Sequence, residues 1–317
     1  MYNIGLDIGG TKVIGALFDE QKNILKSVKK KTKAREGKEV IFGQISRVIE
    51  GLIEGIDKSE IKGIGAGVPG IIDAENGVVL FSPNIPWENY PLKEYIEKAF
   101  EIKTTLANDV NVGVLGEWKY GAGRGYKNIV GIFVGTGIGG GLVINGEIYD
   151  GKIGAAGEIG HITVDFDGPF CGCGARGCLE SLASKTAMQK QIEAQIKRGR
   201  KTLLKDILGE TVEVIKSEQL KEAYDKNDEL AKEILEDSAK YIGVATASLI
   251  NILNPEVIIF GGGIMESMGD IMMPIIKESA VRYTMPKLFE ACEFKIAELG
   301  DNSGLYGGLT LAENGDK

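Results

Sequence analysis

Apolar residues in this chain change their spacing repeatedly, and each change marks an element. Residues 4–8, Ile4-Gly5-Leu6-Asp7-Ile8, read as a buried strand, Gly9-Gly10-Thr11-Lys12 as a turn, and residues 13–18 as a second strand. Asp19-Glu20-Gln21-Lys22 is a turn signal. Residues 24–31 read as a third strand with a basic solvent side. From 39 to 55 the period lengthens, and Val40, Ile41, Ile45, Val48, Ile49, Leu52 and Ile53 fall on one face of a helix. A strand over 61–68 ends in Pro69-Gly70, a short helix follows at 95–100, and another strand at 103–107.

A second pass then resembles the first. Residues 129–134 read as a strand, Gly135-Thr136-Gly137-Ile138-Gly139-Gly140 as a glycine turn, and 141–144 as a strand. Asn145-Gly146 is a hairpin signal, and a third strand starts at Glu147. Strand, glycine turn, strand, tight turn, strand therefore occurs twice, with little residue identity between the copies. Residues 184–198 and 217–253 read as mostly helical, with Asn254-Pro255 as the stop. A buried strand at 257–260 runs into Gly261-Gly262-Gly263. A helix over 271–283 is interrupted at Pro274, 294–297 is a strand, and a last helix opens at Ser303. Alternating strands and helices predict an α/β fold.

The 317 residues are enough for two domains or one large one. A net charge of −8 disfavours non-specific nucleic-acid binding and fits a cytoplasmic protein. No apolar run reaches the length of a membrane span, and the first residues enter a strand pattern with no basic leader, so secretion is not expected. The 45 glycines are the compositional outlier. They cluster in short loops, where they let backbone approach a ligand closely.

His161 is the one histidine, and Cys171, Cys173 and Cys178 follow it. One His and three Cys fill a closed tetrahedral zinc site, which builds structure and leaves no open position for hydrolysis. A Cys171–Cys178 disulfide and an ordinary core histidine compete with this reading. Against the disulfide stand the tight Cys171-x-Cys173 spacing and the absence of a secretory leader. Cys292, among Phe289, Ala291 and Phe294, reads as a small buried hydrophobe. Glu158 and Glu180 bracket the cluster without being needed as ligands, which suggests a second guest beside the metal.

Asp7, Gly9, Gly10, Thr11 and Lys12 bring together an acid, glycine amides, a hydroxyl and a cation, a combination suited to phosphate. Asp7 is a candidate to hold magnesium through water; the plain alternative is a hairpin with a surface lysine. Gly135 to Gly140 match G-x-G-x-x-G, but a strand follows where a dinucleotide fold needs a helix. Thr136 and Gly137 are therefore read as a second phosphate loop. Gly261-Gly262-Gly263 and Gly304-Leu305-Tyr306-Gly307-Gly308 would lie near base and ribose, or serve only as tight turns. Asn108 and Asp109 stand where a strand hands over to a helix. Asn108-Asp109 suits an N-cap, and a carboxylate there also suits a base that accepts a hydroxyl proton.

Taken together, these residues resemble the ROK family of sugar kinases and repressors. The resemblance runs over nearly the whole chain, through Asp7 to Lys12, Gly67-Val68-Pro69-Gly70, Ser82-Pro83-Asn84, Asn108-Asp109, Gly135 to Gly140, Glu158-Ile159-Gly160-His161 and Cys171 to Glu180. It implies two actin-like (ribonuclease H-like) α/β domains around a central cleft: residues 1–112 with 303–317, and 113–302 carrying the zinc loop. It implies Asp109 as general base on a sugar 6-hydroxyl that attacks the γ-phosphate of magnesium-bound ATP. Asn84, Asn108, Glu158, His161 and Glu180 would hold the sugar, and Asp7, Gly9, Gly10, Thr11, Lys12, Thr136, Gly137, Gly262 and Gly263 the nucleotide. His161, Cys171, Cys173 and Cys178 would bind structural zinc, and a dimer or tetramer is expected. Glucose is the expected sugar, with fructose, mannose, N-acetylmannosamine or N-acetylglucosamine as alternatives, as is a sugar sensor without turnover. Polyphosphate or ADP are alternative donors. The first glycine loop begins at Asp7, which leaves no room before it for the DNA-reading helix of the repressors.

Overall fold

The computed structural model describes residues 1–208 and 215–314; residues 315–317 of the expected 303–317 segment lie outside the described residues. The chain forms two compact units. Unit 1 takes Met1–Gly125, Gly141–Gly157 and Asp301–Lys317, and unit 2 takes Tyr126–Gly140 and Glu158–Gly300. Residues 113–125 and 141–157 thus lie with unit 1, whereas the resemblance assigns them to the second domain.

Unit 1 opens with β1 (Tyr2–Ile8), β2 (Lys12–Phe18), β3 (Ile24–Lys31), α1 (Lys38–Ile53) and β4 (Ile61–Val68). There follow β5 (Ile71–Asp73), β6 (Val78–Phe81), β7 (Glu88–Tyr90), α2 (Leu92–Phe100), β8 (Thr104–Asn108) and α3 (Asp109–Tyr120). The main sheet has the order β3-β2-β1-β4-β8, with β1, β4 and β8 parallel and the first three strands antiparallel. Ile4, Leu6 and Ile8 alternate along β1 and are fully buried. They share one core with Ile41, Ile45, Val48, Ile49 and Leu52, the helical stripe of α1. Burial of such stripes stabilises by about 1.5–3 kcal/mol per large aliphatic side chain. The strands β5, β6 and β7 form a small antiparallel sheet that the apolar spacing did not announce. Beneath it, buried Trp87 stacks on Tyr90 with ring centroids 4.7 Å apart.

The second sheet is built from β9 (Ile129–Val134), β10 (Ile138–Ile144), β11 (Glu147–Ile148), β12 (Val257–Gly261) and β13 (Glu293–Ile296). Its order is β11-β10-β9-β12-β13. Third, second and first strand, then two parallel neighbours: this is the plan of the first sheet again. Asn145 (φ 55) and Gly146 (φ 80) make the tight turn with both residues left-handed, as the Asn-Gly signal requires. The glycine turn is shorter than its sequence motif, because Ile138, Gly139 and Gly140 already belong to β10.

The helices of unit 2 are α4 (Leu179–Ala183), α5 (Lys185–Lys197), α6 (Leu204–Leu208), α7 (Ser217–Asp225), α8 (Glu229–Leu253), α9 (Gly263–Tyr283) and α10 (Pro286–Glu290). The helix expected over 217–253 is two helices. Asn227 turns left-handed (φ 61), and the Asp228 carboxylate accepts the Ala231 N–H at 2.9 Å to start a new helix. Helix α9 begins eight residues before its predicted start and carries Pro274 within it. Its backbone departs from helical angles at Met268 (φ −136), beside helix-weakening Gly269, and not at the proline.

The last helix, α11 (Ser303–Asn314), belongs to unit 1 and lies on β1, β4 and α3. It approaches the sheet backbone to backbone. A Cβ on Gly65 would come within 2.7 Å of the Ala312 nitrogen, and one on Gly5 would overlap the Leu305 carbonyl. Leu305 and Leu309 complete a second core with Ile14, Ala16 and Phe18, so α1 and α11 cover opposite faces of the sheet. Gly307 and Gly308 are used up in this contact, against Val112 and Gly65. Of the two roles weighed for the 304–308 glycines, Gly307 and Gly308 serve packing, whereas Gly304 lies against Asp7. Among the described residues no helix is long and apolar enough to cross a membrane.

Candidate active site

In unit 1, strand β1 delivers Asp7 to the edge of a tight hairpin. The Gly9 N–H donates to the Lys12 carbonyl at 2.8 Å, and the Thr32 N–H to the Thr11 carbonyl at 2.9 Å. The Thr32 hydroxyl donates to the Gly9 carbonyl, so the loop is anchored on two sides. Asp7 is surrounded by protein: a Cβ on Gly304 would stand 3.2 Å from its carboxyl carbon. Burial pushes the Asp7 carboxyl up, Lys12 draws it partly back, and Asp301 pushes it up again. A buried acid of this kind is stabilised by a divalent cation, and that chemistry fits magnesium held through water. Lys12 pairs with Asp301 at 3.5 Å. Asn84 is exposed, and its Cβ would stand 3.1 Å from one placed on Gly10. The structure thus sets a residue read for sugar against the loop read for phosphate.

Asp109 is the first residue of α3 and is half-buried. The Val110 N–H donates both to its Oδ1, at 3.0 Å, and to the Asn108 Oδ1, at 2.9 Å. Asn108 also accepts the Asn111 N–H at 3.2 Å and donates through Nδ2 to the Gly70 carbonyl at 3.0 Å. Asn108 is therefore a helix cap tied to the Gly67–Gly70 turn, with one Nδ2 hydrogen remaining for a ligand. A carboxylate at a helix N-terminus is a suitable acceptor for a hydroxyl proton.

In unit 2 the turn Gly135–Gly137 closes by a Gly135 N–H bond to the Gly137 carbonyl at 2.9 Å. The start of α5 supports it: the Lys185 N–H donates to the Gly135 carbonyl at 3.0 Å, and the Thr186 hydroxyl to the Thr136 carbonyl at 2.7 Å. Gly262 (φ 83) packs on the Val134 backbone, 2.6 Å from the carbonyl oxygen a Cβ would meet, so only glycine fits beside this turn. Gly263 follows it as the first residue of α9. Glu180 Oε2 accepts the Ile138 N–H at 2.9 Å. One oxygen of a predicted sugar ligand is thus bound to the first residue of β10, just after the glycine turn.

The 3-10 turn Ile159–His161 rests on the same strand, because a Cβ on Gly160 would overlap the Ile138 carbonyl. Glu158 and His161 are exposed, whereas Glu180 is half-buried. His161 uses its two ring nitrogens in different directions. Nδ1 lies 3.7 Å from Cys171 Sγ, and Nε2 lies 3.9 Å from Glu158 Oε2. Cys173 and Cys178 sulfurs are 3.8 Å apart, and all four donor atoms lie within 4.8 Å of one another. A tetrahedron with metal–sulfur bonds of about 2.3 Å has edges of about 3.8 Å. The donor set and its spacing therefore fit structural zinc. All four cysteines are free thiols, so no Cys171–Cys178 disulfide forms.

Two participants, Asp301 and Asn111, escaped the sequence. Asp301 reaches Lys12 across 289 positions. Asn111 is buried on α3, donates to Asp150 at 3.2 Å and leaves its own Oδ1 without a partner. Neither has a local pattern; each depends on which strands become neighbours.

Comparisons with known proteins place the chain in a family. The family model described as ROK family matches residues 3–314. The glucokinase of Thermotoga maritima is 38% identical over 97% of this chain and 96% of its own length. The crystal structure of a ROK family glucokinase from Streptomyces griseus, in complex with glucose and AMPPNP, superposes with a TM-score of 0.84 at 32% identity, covering 99% of each chain. The xylose repressor of Bacillus spizizenii is 31% identical over 96% of this chain, which spans 75% of the repressor.

Proposed function

This chain belongs to the ROK family, and from that premise we propose that it is an ATP-dependent hexose kinase that converts glucose to glucose 6-phosphate. The observation that carries the reading is the intact base position. Asp109 stands at a helix N-terminus behind an Asn108 cap, in the same unit as Asn84 and the Gly9–Lys12 loop it touches. A sensor that only binds sugar needs the sugar contacts but not a base at Asp109, and the similarity to a repressor keeps it as the reading to be tested against.

Phosphoryl transfer demands positioning and charge more than covalent chemistry. Asp109 accepts the proton of the 6-hydroxyl as that oxygen attacks the γ-phosphorus of ATP, and ADP leaves. Asn84 and the remaining Asn108 N–H orient sugar hydroxyls. Glu158 and the second oxygen of Glu180 accept hydrogen bonds from hydroxyl pairs, while His161 donates through Nε2. The amides and side chains of Gly9, Gly10, Thr11 and Lys12, with Thr136, Gly137, Gly262 and Gly263, hold the nucleotide. Asp7 would hold magnesium through water, and the ion when bound would neutralise charge on the phosphates. His161, Cys171, Cys173 and Cys178 would hold structural zinc, which when bound would fix the imidazole tautomer and leave the chemistry to the other residues. A cytoplasmic homo-oligomer completes the reading.

The test is ADP release from magnesium-ATP against glucose, mannose, fructose, N-acetylmannosamine and N-acetylglucosamine. Preferred turnover of glucose supports the proposal. Turnover of another sugar moves the specificity, and binding of sugar without turnover makes the protein a sensor.

A further inference from the structure

We propose that Lys31 is a second cation of the phosphoryl-donor site, acting with Lys12 to hold the phosphate chain of a magnesium-bound nucleoside triphosphate; this rests on the kinase reading above. Strands β2 and β3 pair with Lys12 opposite Lys31, Val13 opposite Lys30 and Ile14 opposite Lys29. Residues directly opposite in an antiparallel pair share a face of the sheet. Ile14, Ala16 and Phe18 pack with Leu305 and Leu309, so Lys12, Lys29 and Lys31 emerge on the α11 face. Asp7 is paired with Ile14 and shares that face. Lys30 and Val28 point to the other side, where Val28 packs against Gly51 of α1.

Two ammonium groups directly opposite each other repel. Lys12 has a carboxylate partner in Asp301, whose side chain is itself 84% exposed. The described residues supply Lys31 with none, in a chain that is acidic overall. The next residue, Thr32, makes both hydrogen bonds that anchor the Gly9–Thr11 loop. Lys31 is therefore held at a fixed distance from that loop, one residue from its anchor. A multiply charged anion between Lys12 and Lys31 relieves the repulsion and meets the loop amides at the same time. Lysines on an edge strand such as β3 also block unwanted strand pairing, but for that task Lys30 would serve as well as Lys31. The two roles separate by face.

The test compares K31A, K31R and K30A in the full-length protein. It titrates the magnesium complex of a non-hydrolysable ATP analogue by calorimetry and measures ADP release with glucose. In K31A the analogue Kd and the KM for ATP are expected to rise roughly 3- to 10-fold, the range of one ordinary hydrogen-bonded contact with its charge screened by solvent. The KM for glucose should stay constant, K31R should retain most of the affinity, and K30A should match the wild type. K31A indistinguishable from K30A in donor affinity would overturn the assignment while leaving the kinase intact. A wild type that neither binds the analogue nor releases ADP would sink the kinase reading, and Lys31 with it.

Discussion

Replacing Asp109 by Asn keeps the size of the side chain and its place at the start of α3, and removes the proton acceptor. Turnover is expected to fall about 10²- to 10⁴-fold, the usual worth of a positioned base. Glucose affinity by calorimetry should stay near wild type, and full activity in D109N would remove Asp109 as the base. Asp7 leads to a pH experiment. Its carboxyl is raised by burial, so the folded state holds the proton to higher pH than the unfolded state does. Stability from this group is intact below the ordinary carboxylate value, about pH 4. It declines as pH rises from there through the folded value. Asp7→Asn cannot ionise, so its melting temperature should exceed wild type at neutral pH and converge with it below about pH 4. A difference that does not vary with pH would contradict this origin. The chemistry-bearing residues themselves were legible in sequence, because Asp109 lies at a strand-to-helix handover and Asp7 before a glycine turn. Their partners were not. Asp301 meets Lys12, and the Gly70 carbonyl meets Asn108, only through tertiary neighbours, and Asn108 serves structure as the cap of α3.

At the scale of elements, the zinc loop joins the two predicted binding features of unit 2. Gly160 lies on Ile138, and Glu180 accepts the Ile138 N–H, so the loop and the glycine turn share one strand. Cys173→Ser is expected to lower bound zinc and weaken glucose binding about 10- to 100-fold through loss of His161 and Glu180 orientation. Metal analysis and calorimetry check it together: unchanged zinc and unchanged sugar affinity would refute the coupling. Long periodic elements such as α1 and β4 were legible, since many positions repeat one spacing. The strands β5 and β7 have three residues each, too few for alternation to register. The break between α7 and α8 lay in a cap at Asp228, a feature that apolar periodicity overlooks.

At the scale of the molecule, the repeated pattern of strand, glycine turn, strand, tight turn and strand foretold two sheets, and both sheets follow one strand order. What periodicity could not assign was the purpose of each glycine. Those at 304–308 have the composition of a ligand loop, yet Gly307 and Gly308 are the contact surface of α11. That surface also sets a timetable. During synthesis β1, β4 and α3 leave the ribosome early, but the helix that covers their second face follows every residue of unit 2. All strands of the second sheet are made while Gly5 and Gly65 still wait uncovered. The nascent chain therefore closes its earliest-made strands last.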